Sequence, residues 1–318
     1  MAPGELLRRH DDANSNNSYH NQVRALKVIL HVGPHKTGTT SIQSCLKSLF
    51  RNESPVSSTW YPPSEPKGPG HAALADKLLN NDTSQLKLIV QQARSAGVEK
   101  LLLSSENFCR IGIDFWRKAA MDCFAGCAVS LVTTQNPMGS RVSSIWQESI
   151  KQGRQATFES SIERILQDPG LSPTHIPNIA RAISASQVIV VYSSTNDPSR
   201  KLLENFFQAI GEDTNRLSDV DGIHENRRIG MIEVELFRRL NQLLSKNGIQ
   251  PNGAEFRGIR SQLLRVFWSE SWQSKCPQVE LSVPNDFLNR ARMHEIDLFN
   301  EFERLSKDIP VEYFGERG

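Results

Sequence analysis

Residues 26–50 read LKVILHVGPHKTGTTSIQSCLKSLF, and this stretch decides the fold. Its opening run, 26–32, is apolar at most successive positions and of strand length. That pattern suits a strand buried on both faces, as in a parallel sheet. At the other end Ile42, Cys45, Leu46, Leu49 and Phe50 fall at i, i+3, i+4, i+7 and i+8, one face of a helix. Between strand and helix lies a short loop with two glycines and a lysine. Gly33 and Gly38 permit tight backbone turns. The N–H groups of Lys36 to Thr40 can then converge on an anion. The partial positive charge of the helix N-terminus and the full charge of Lys36 add to them.

Three further runs, 98–104 (VEKLLLS), 128–134 (AVSLVTT) and 187–192 (QVIVVY), repeat the strand signature. Helical patterns separate and follow them. They cover 71–80, 85–94, a helix opened by Pro137 with Asn136 as its cap and running to Lys151, 198–210 stopped by Gly211, 229–246 and 286–306. Strands alternating with helices predict an α/β fold, a three-layer sandwich with a mostly parallel central sheet and a helical C-terminal part. The organisation expected is a polar tail over 1–24 and a single unit over 25–318, all-helical from about 211. The Pro/Gly-rich stretch 61–70, YPPSEPKGPG, reads as a long loop of the kind that builds sites in α/β folds.

The 318 residues carry 37 Lys plus Arg against 35 Asp plus Glu. A net charge of +2 argues against a protein that coats nucleic acid or an acidic membrane through bulk charge, so neither is an expected partner. No apolar run approaches the roughly 18 residues that span a bilayer. Five scattered cysteines, an odd count, argue against a disulfide framework and for a reducing, cytoplasmic setting. The first residues hold no apolar core of signal-peptide length, which agrees with that expectation. Cys123 and Cys127 are four apart, the spacing of one helix face. No His or second Cys pair stands beside them at zinc spacing, so no metal is expected.

In the ATP/GTP loop, G-x-x-x-x-G-K-S/T, the lysine follows the second glycine, and the hydroxyl residue after it holds Mg²⁺. Here Lys36 precedes Gly38 and Thr39 follows it. The order K-T-G-T-T removes the Lys–Ser/Thr pair, and no predicted strand ends in an obvious magnesium-binding Asp. Residues 34–43, PHKTGTTSIQ, instead resemble the 5′-phosphosulfate loop of sulfotransferases that use 3′-phosphoadenosine 5′-phosphosulfate (PAPS). The form P-x-K-T-G-T-T-S-I-Q is similar to a bacterial branch of that family. Weaker motifs resemble the family too. They are Trp60-Tyr61-Pro62 with His71, Ser104-Ser105-Glu106, Gln135-Asn136-Pro137 with Ser143 six positions past the proline, Val190-Val191-Tyr192, and His224-Glu225-Asn226 before a helix. Together they span 26 to about 245, and beyond about 250 the likeness is only of helical character.

The resemblance implies a P-loop sulfotransferase-like fold. It implies transfer of a sulfuryl group from PAPS, with release of the desulfated product PAP, to a hydroxyl or amine of a small-molecule acceptor such as a natural product. His35, Lys36, Thr37, Gly38, Thr39 and Thr40 would surround the 5′-phosphosulfate. Gln135 and Ser143 would meet the 3′-phosphate, and Tyr192 would lie near the adenine. The family has arginine where this chain has Gln135, so Arg141, Arg227 or Arg228 is expected to restore the missing charge. Lys36 would oppose charge on the leaving phosphate. The base that takes the acceptor's proton is expected to be Glu106, at a strand end, with His71 as second candidate for its near-neutral ionisation. Trp60, Tyr61 and Trp146 are candidate linings of the acceptor side. Two other readings stay open: a PAP-binding protein without turnover, which the uncharged Gln135 favours, and a P-loop kinase-like phosphotransferase.

Overall fold

The computed structural model describes residues 25–51, 58–63, 68, 70–172, 174–192, 198–220, 230–251, 253–276 and 283–315. The expected tail over 1–24, the motif His224-Glu225-Asn226, and the candidates Arg227 and Arg228 lie outside the described residues. β1 (Lys27–His31) runs through the glycine loop into α1 (Thr39–Phe50). β2 (Thr59–Trp60), α2 (Ala72–Leu79), α3 (Ser84–Ser95), β3 (Lys100–Ser104) and α4 (Ile113–Cys123) follow. Then come β4 (Ala128–Gln135), α5 (Met138–Lys151), α6 (Phe158–Leu166), α7 (His175–Ala182), β5 (Gln187–Tyr192) and α8 (Pro198–Ala209). The C-terminal part holds α9 (Met231–Lys246), α10 (Ala254–Phe267), α11 (Glu270–Gln273), α12 (Asn285–Leu305) and β6 (Val311–Phe314).

Among the described residues the six strands form one all-parallel sheet in the order β2-β3-β1-β4-β5-β6. The apolar runs are continuous because both sheet faces are covered. Val28, Leu30, Leu101, Leu103, Val188 and Val190 face α2, α3, α4 and α7, with Leu78, Ile89, Trp116 and Ile179 in the same cluster. Ile29, Leu102, Val132, Ile189 and Val191 face α1 and α8, against Ile42, Leu46, Phe50, Leu203 and Phe206. A third cluster binds α5 and α6 to the C-terminal helices through Val142, Trp146, Phe158, Phe237, Phe267 and Phe287. The α/β fold with a parallel sheet between helical layers is as the sequence predicts.

Several particulars differ from the sequence expectation. The C-terminal part is not all-helical: β6 pairs in parallel with β5 at the sheet edge. It is short and partly exposed on all four residues, so it lacks the apolar signature of a buried strand. The sequence expectation also lacks β2, which ends at Trp60. It lacks α4, α6, α7 and α10 as well. Cys123 ends α4 and Cys127 precedes β4, so the two do not share a helix face. Pro137, not Asn136, is the cap position of α5. No helix among the described residues is long and apolar enough to cross a membrane.

Candidate functional site

β1, β3 and β4 lie side by side in parallel, so the segments leaving them meet at one edge of the sheet, where α/β folds bind ligands. The glycine loop occupies this edge. Lys36 adopts the left-handed conformation at φ 66, and Gly38 does so at φ 85. For Lys36 that backbone is unfavourable by roughly 1–2 kcal/mol. It is held by Asn136, whose Nδ2 donates to the Lys36 carbonyl over 3.0 Å. A side chain at Gly38 would come within 2.2 Å of Leu202 Cδ2, and one at Gly33 within 2.8 Å of Thr39 Oγ1. A side chain at either position would force these neighbours to shift, and at Gly38 it would also meet the left-handed backbone.

These turns leave the N–H groups of Lys36, Gly38, Thr39 and Thr40 without an acceptor among the described residues. No side chain caps α1. Successive bare amides at a helix N-terminus, with an ammonium alongside, form an anion-binding concavity.

The floor of the loop is polar and buried. Thr37 Oγ1 donates to the Pro34 carbonyl over 2.8 Å and receives Thr134 Oγ1 at 2.5 Å. Gln43 Nε2 donates to Ser104 Oγ over 3.3 Å, and that hydroxyl meets His31 Nδ1 at 2.8 Å. Which of the hydroxyl and Nδ1 donates depends on the His31 tautomer. Burial holds the ring neutral, pushing its pKa down to about 3. His31 Nε2 and Thr39 Oγ1 are buried without partners among the described residues. Both border the position that a side chain at Gly33 would fill, at 3.1 and 2.8 Å.

Two cations serve the same edge. Lys36 Nζ lies 3.2 Å from Glu148 Oε2 on α5, which also takes Lys151 Nζ at 2.7 Å. Burial works against ionisation of Glu148, but the two lysines prevail and hold its pKa down to about 2. Arg141, about two turns before it, is 3% exposed. Its Nη1 reaches Gln135 Oε1 at 3.4 Å, while Nε and Nη2 have no partner among the described residues. Burial pulls the guanidinium pKa down to about 10, partly offset by Cys109, Asp168 and Glu295, and leaves it charged at neutral pH. A buried cation with unsatisfied nitrogens is costly and fits an anion's place. Gln135 itself is buried at the end of β4 and also donates to Thr133 Oγ1 over 3.2 Å.

The base candidates separate clearly. Glu106 Oε1 lies 3.6 Å from His35 Nδ1 on the loop, with both side chains more than a third exposed. His71 is buried behind β3. Its Nδ1 accepts from the Ser104 backbone N–H over 3.1 Å, so its Nε2–H donates to the Pro62 carbonyl over 3.0 Å. Burial pushes its pKa down to about 4. His71 thus fastens Pro62 to the sheet and has no nitrogen turned toward the loop. Trp60, Tyr61 and Trp146, expected on the acceptor side, are instead core residues, 1%, 1% and 4% exposed. Tyr192 is half-buried and stacks on Tyr313 of β6, with ring centroids 6.4 Å apart. Ser143 is half-buried on α5.

Sequence reasoning missed His31, Gln43, Thr134 and Glu148. His31 alone left a signal, a polar residue closing an apolar strand. Glu148 stands 112 positions from Lys36, and no local pattern joins them. Comparison of the chain with protein-family models and with curated proteins finds no match.

Proposed function

We propose that the chain binds PAPS at the glycine loop and transfers its sulfuryl group to a hydroxyl or amine acceptor. The likeness of residues 34–43 to the phosphosulfate loop of PAPS-dependent sulfotransferases implies the donor. The observation that carries the reading is the row of bare amides from Lys36 to Thr40, with the unsatisfied, buried Arg141 guanidinium on the same edge. The donor has two anionic ends, and these two features match them. Lys36 and the loop amides take the 5′-phosphosulfate. Arg141 supplies the charge at the 3′-phosphate that Gln135 lacks.

In the transfer, the acceptor oxygen or nitrogen bonds to sulfur as the bond from sulfur to the bridging oxygen breaks. The electron pair stays on the 5′-phosphate of PAP, where Lys36 and the amides oppose the growing charge. The acceptor's proton passes to Glu106, which stands exposed at the loop.

A second reading, a PAP-binding protein without turnover, draws on the Lys36–Glu148 ion pair, because the loop's one ammonium already has a partner. Incubation with label on the PAPS sulfur and a panel of hydroxyl- and amine-bearing acceptors separates the two. Label on an acceptor, with PAP released, is the expected result. Binding of PAPS without transfer to any acceptor favours the second reading, and no binding overturns both.

A further inference from the structure

Beyond the loop, two cavities of about 550 and about 700 Å³ adjoin at the end of α5 and share Gln152 and Arg154 in their walls. Each falls in the roughly 300–1,000 Å³ range of ligand sites, and joined they suit an elongated one. Their walls carry five arginines, Arg110, Arg154, Arg164, Arg257 and Arg260, against one carboxylate, Asp168. A chain whose charges balance at 37 against 35 has gathered an excess of cations here.

Several surface arginines elsewhere are paired. Arg117, Arg200, Arg216, Arg290 and Arg304 each meet a carboxylate. Arg110, Arg154 and Arg164 pair with none among the described residues. Glu163, next to Arg164 in sequence, is drawn away to Arg290 at 2.5 Å. Asp168 accepts the Gly170 N–H over 2.9 Å. Arg260 Nε is buried without an acceptor. Like charges are held together here at an electrostatic cost, and the guanidinium fork matches carboxylate or sulfate groups two bonds at a time.

The rest of the wall selects among polyanions. Three glutamine amides and the Ser149 hydroxyl suit sugar hydroxyls, and among the described residues no aromatic ring lines either cavity. Single-stranded nucleic acids depend on aromatic stacking, so the lining disfavours them. The groove also touches the loop's charge relay. Gln152 Nε2 donates to Glu148 Oε1 over 3.2 Å, and the other oxygen of that carboxylate holds Lys36.

We propose that this arginine groove binds an acidic oligosaccharide, a run of sugars bearing carboxylate or sulfate groups. That the glycan is also the acceptor rests on the sulfuryl-transfer reading; its binding does not.

The test is calorimetric titration of the full chain with a sulfated hexasaccharide, its unsulfated counterpart free of carboxylates, a single-stranded oligonucleotide of equal charge, and PAP. Arg154→Gln/Arg164→Gln is titrated in parallel, and both positions are exposed, so the core is untouched. Binding of the sulfated hexasaccharide that weakens about tenfold or more in the variant, with PAP binding unchanged, is the expected result. Equal binding in the variant, equal binding of the unsulfated sugar, or tighter binding of the oligonucleotide overturns the proposal. Failure of PAP alone to bind the wild type counts against the transfer reading and leaves the groove standing.

Discussion

Lys36 Nζ stands 3.2 Å from Glu148 Oε2, so the ammonium of the glycine loop is held by a carboxylate from the far end of α5. Glu148 is ionised at all ordinary pH, because its two lysines hold its pKa down to about 2 against the penalty of burial. An anion in the loop competes with this carboxylate for Lys36 and is repelled by it. Glu148→Gln should therefore tighten PAP binding by roughly three- to tenfold, about 1 kcal/mol, read by calorimetry. Weaker binding would show that Glu148 instead orients Lys36 for its ligand.

Arg141 gives an opposed pair of outcomes. Replacing a buried, incompletely satisfied charge by an apolar side chain of similar length is often neutral or stabilising by about 1–4 kcal/mol. Arg141→Met should keep or raise the melting temperature while weakening PAP binding by about ten- to a hundredfold. A large loss of stability with unchanged PAP affinity would assign Arg141 a purely structural role.

Gly38→Ala meets both a left-handed backbone and Leu202. The conformational part alone costs about 1–3 kcal/mol. Thermal unfolding should show a lower midpoint, and the double variant with Leu202→Ala should not recover it, since it relieves the clash but not φ and opens a core cavity.

Glu106 and His71 separate by readout. Glu106→Gln should cut turnover by about 10²–10⁴-fold with PAP affinity retained, because the amide cannot take a proton. His71→Asn should lower stability and leave the pH dependence of turnover in place. Undiminished turnover in Glu106→Gln would remove it from the role of base.

Acid should destabilise the fold in two steps. The unfolded chain protonates its histidines near 6.5, whereas folded His31 and His71 resist protonation down to about 3 and about 4. Both folded values are depressed, so the unfolded state binds more protons and stability falls as pH drops below 6.5, by roughly 1.4 kcal/mol per pH unit for each histidine. Glu148, lowered from 4.5 to about 2, adds a further loss below pH 4.5. Denaturant titrations between pH 7.5 and 4 read the first step, which His71→Asn should make shallower. A flat profile over that range would contradict neutral burial of these rings.

The parallel sheet was legible because strands covered on both faces leave near-continuous apolar runs, as in residues 28–30 and 188–191. The loop was legible because its glycines, lysine and helix are contiguous. β6 was not, since an edge strand with Glu312 and Tyr313 exposed lacks that signature. Glu148, and the groove formed by arginines from separate elements, depend on how α5 packs, which no local spacing encodes. His71 misled because an imidazole that takes a backbone N–H and donates to a carbonyl looks, in sequence, like one kept for chemistry.

The central claim is that the glycine loop and Arg141 together bind the two anionic ends of PAP. Its most direct test is calorimetric titration of PAP against ADP, each with and without Mg²⁺, on the wild type and on Lys36→Ala. The account predicts that PAP binds without need of Mg²⁺, binds more tightly than ADP for its 3′-phosphate, and loses about tenfold or more in affinity in Lys36→Ala. Tighter, Mg²⁺-dependent binding of ADP, or no binding of PAP, would contradict it.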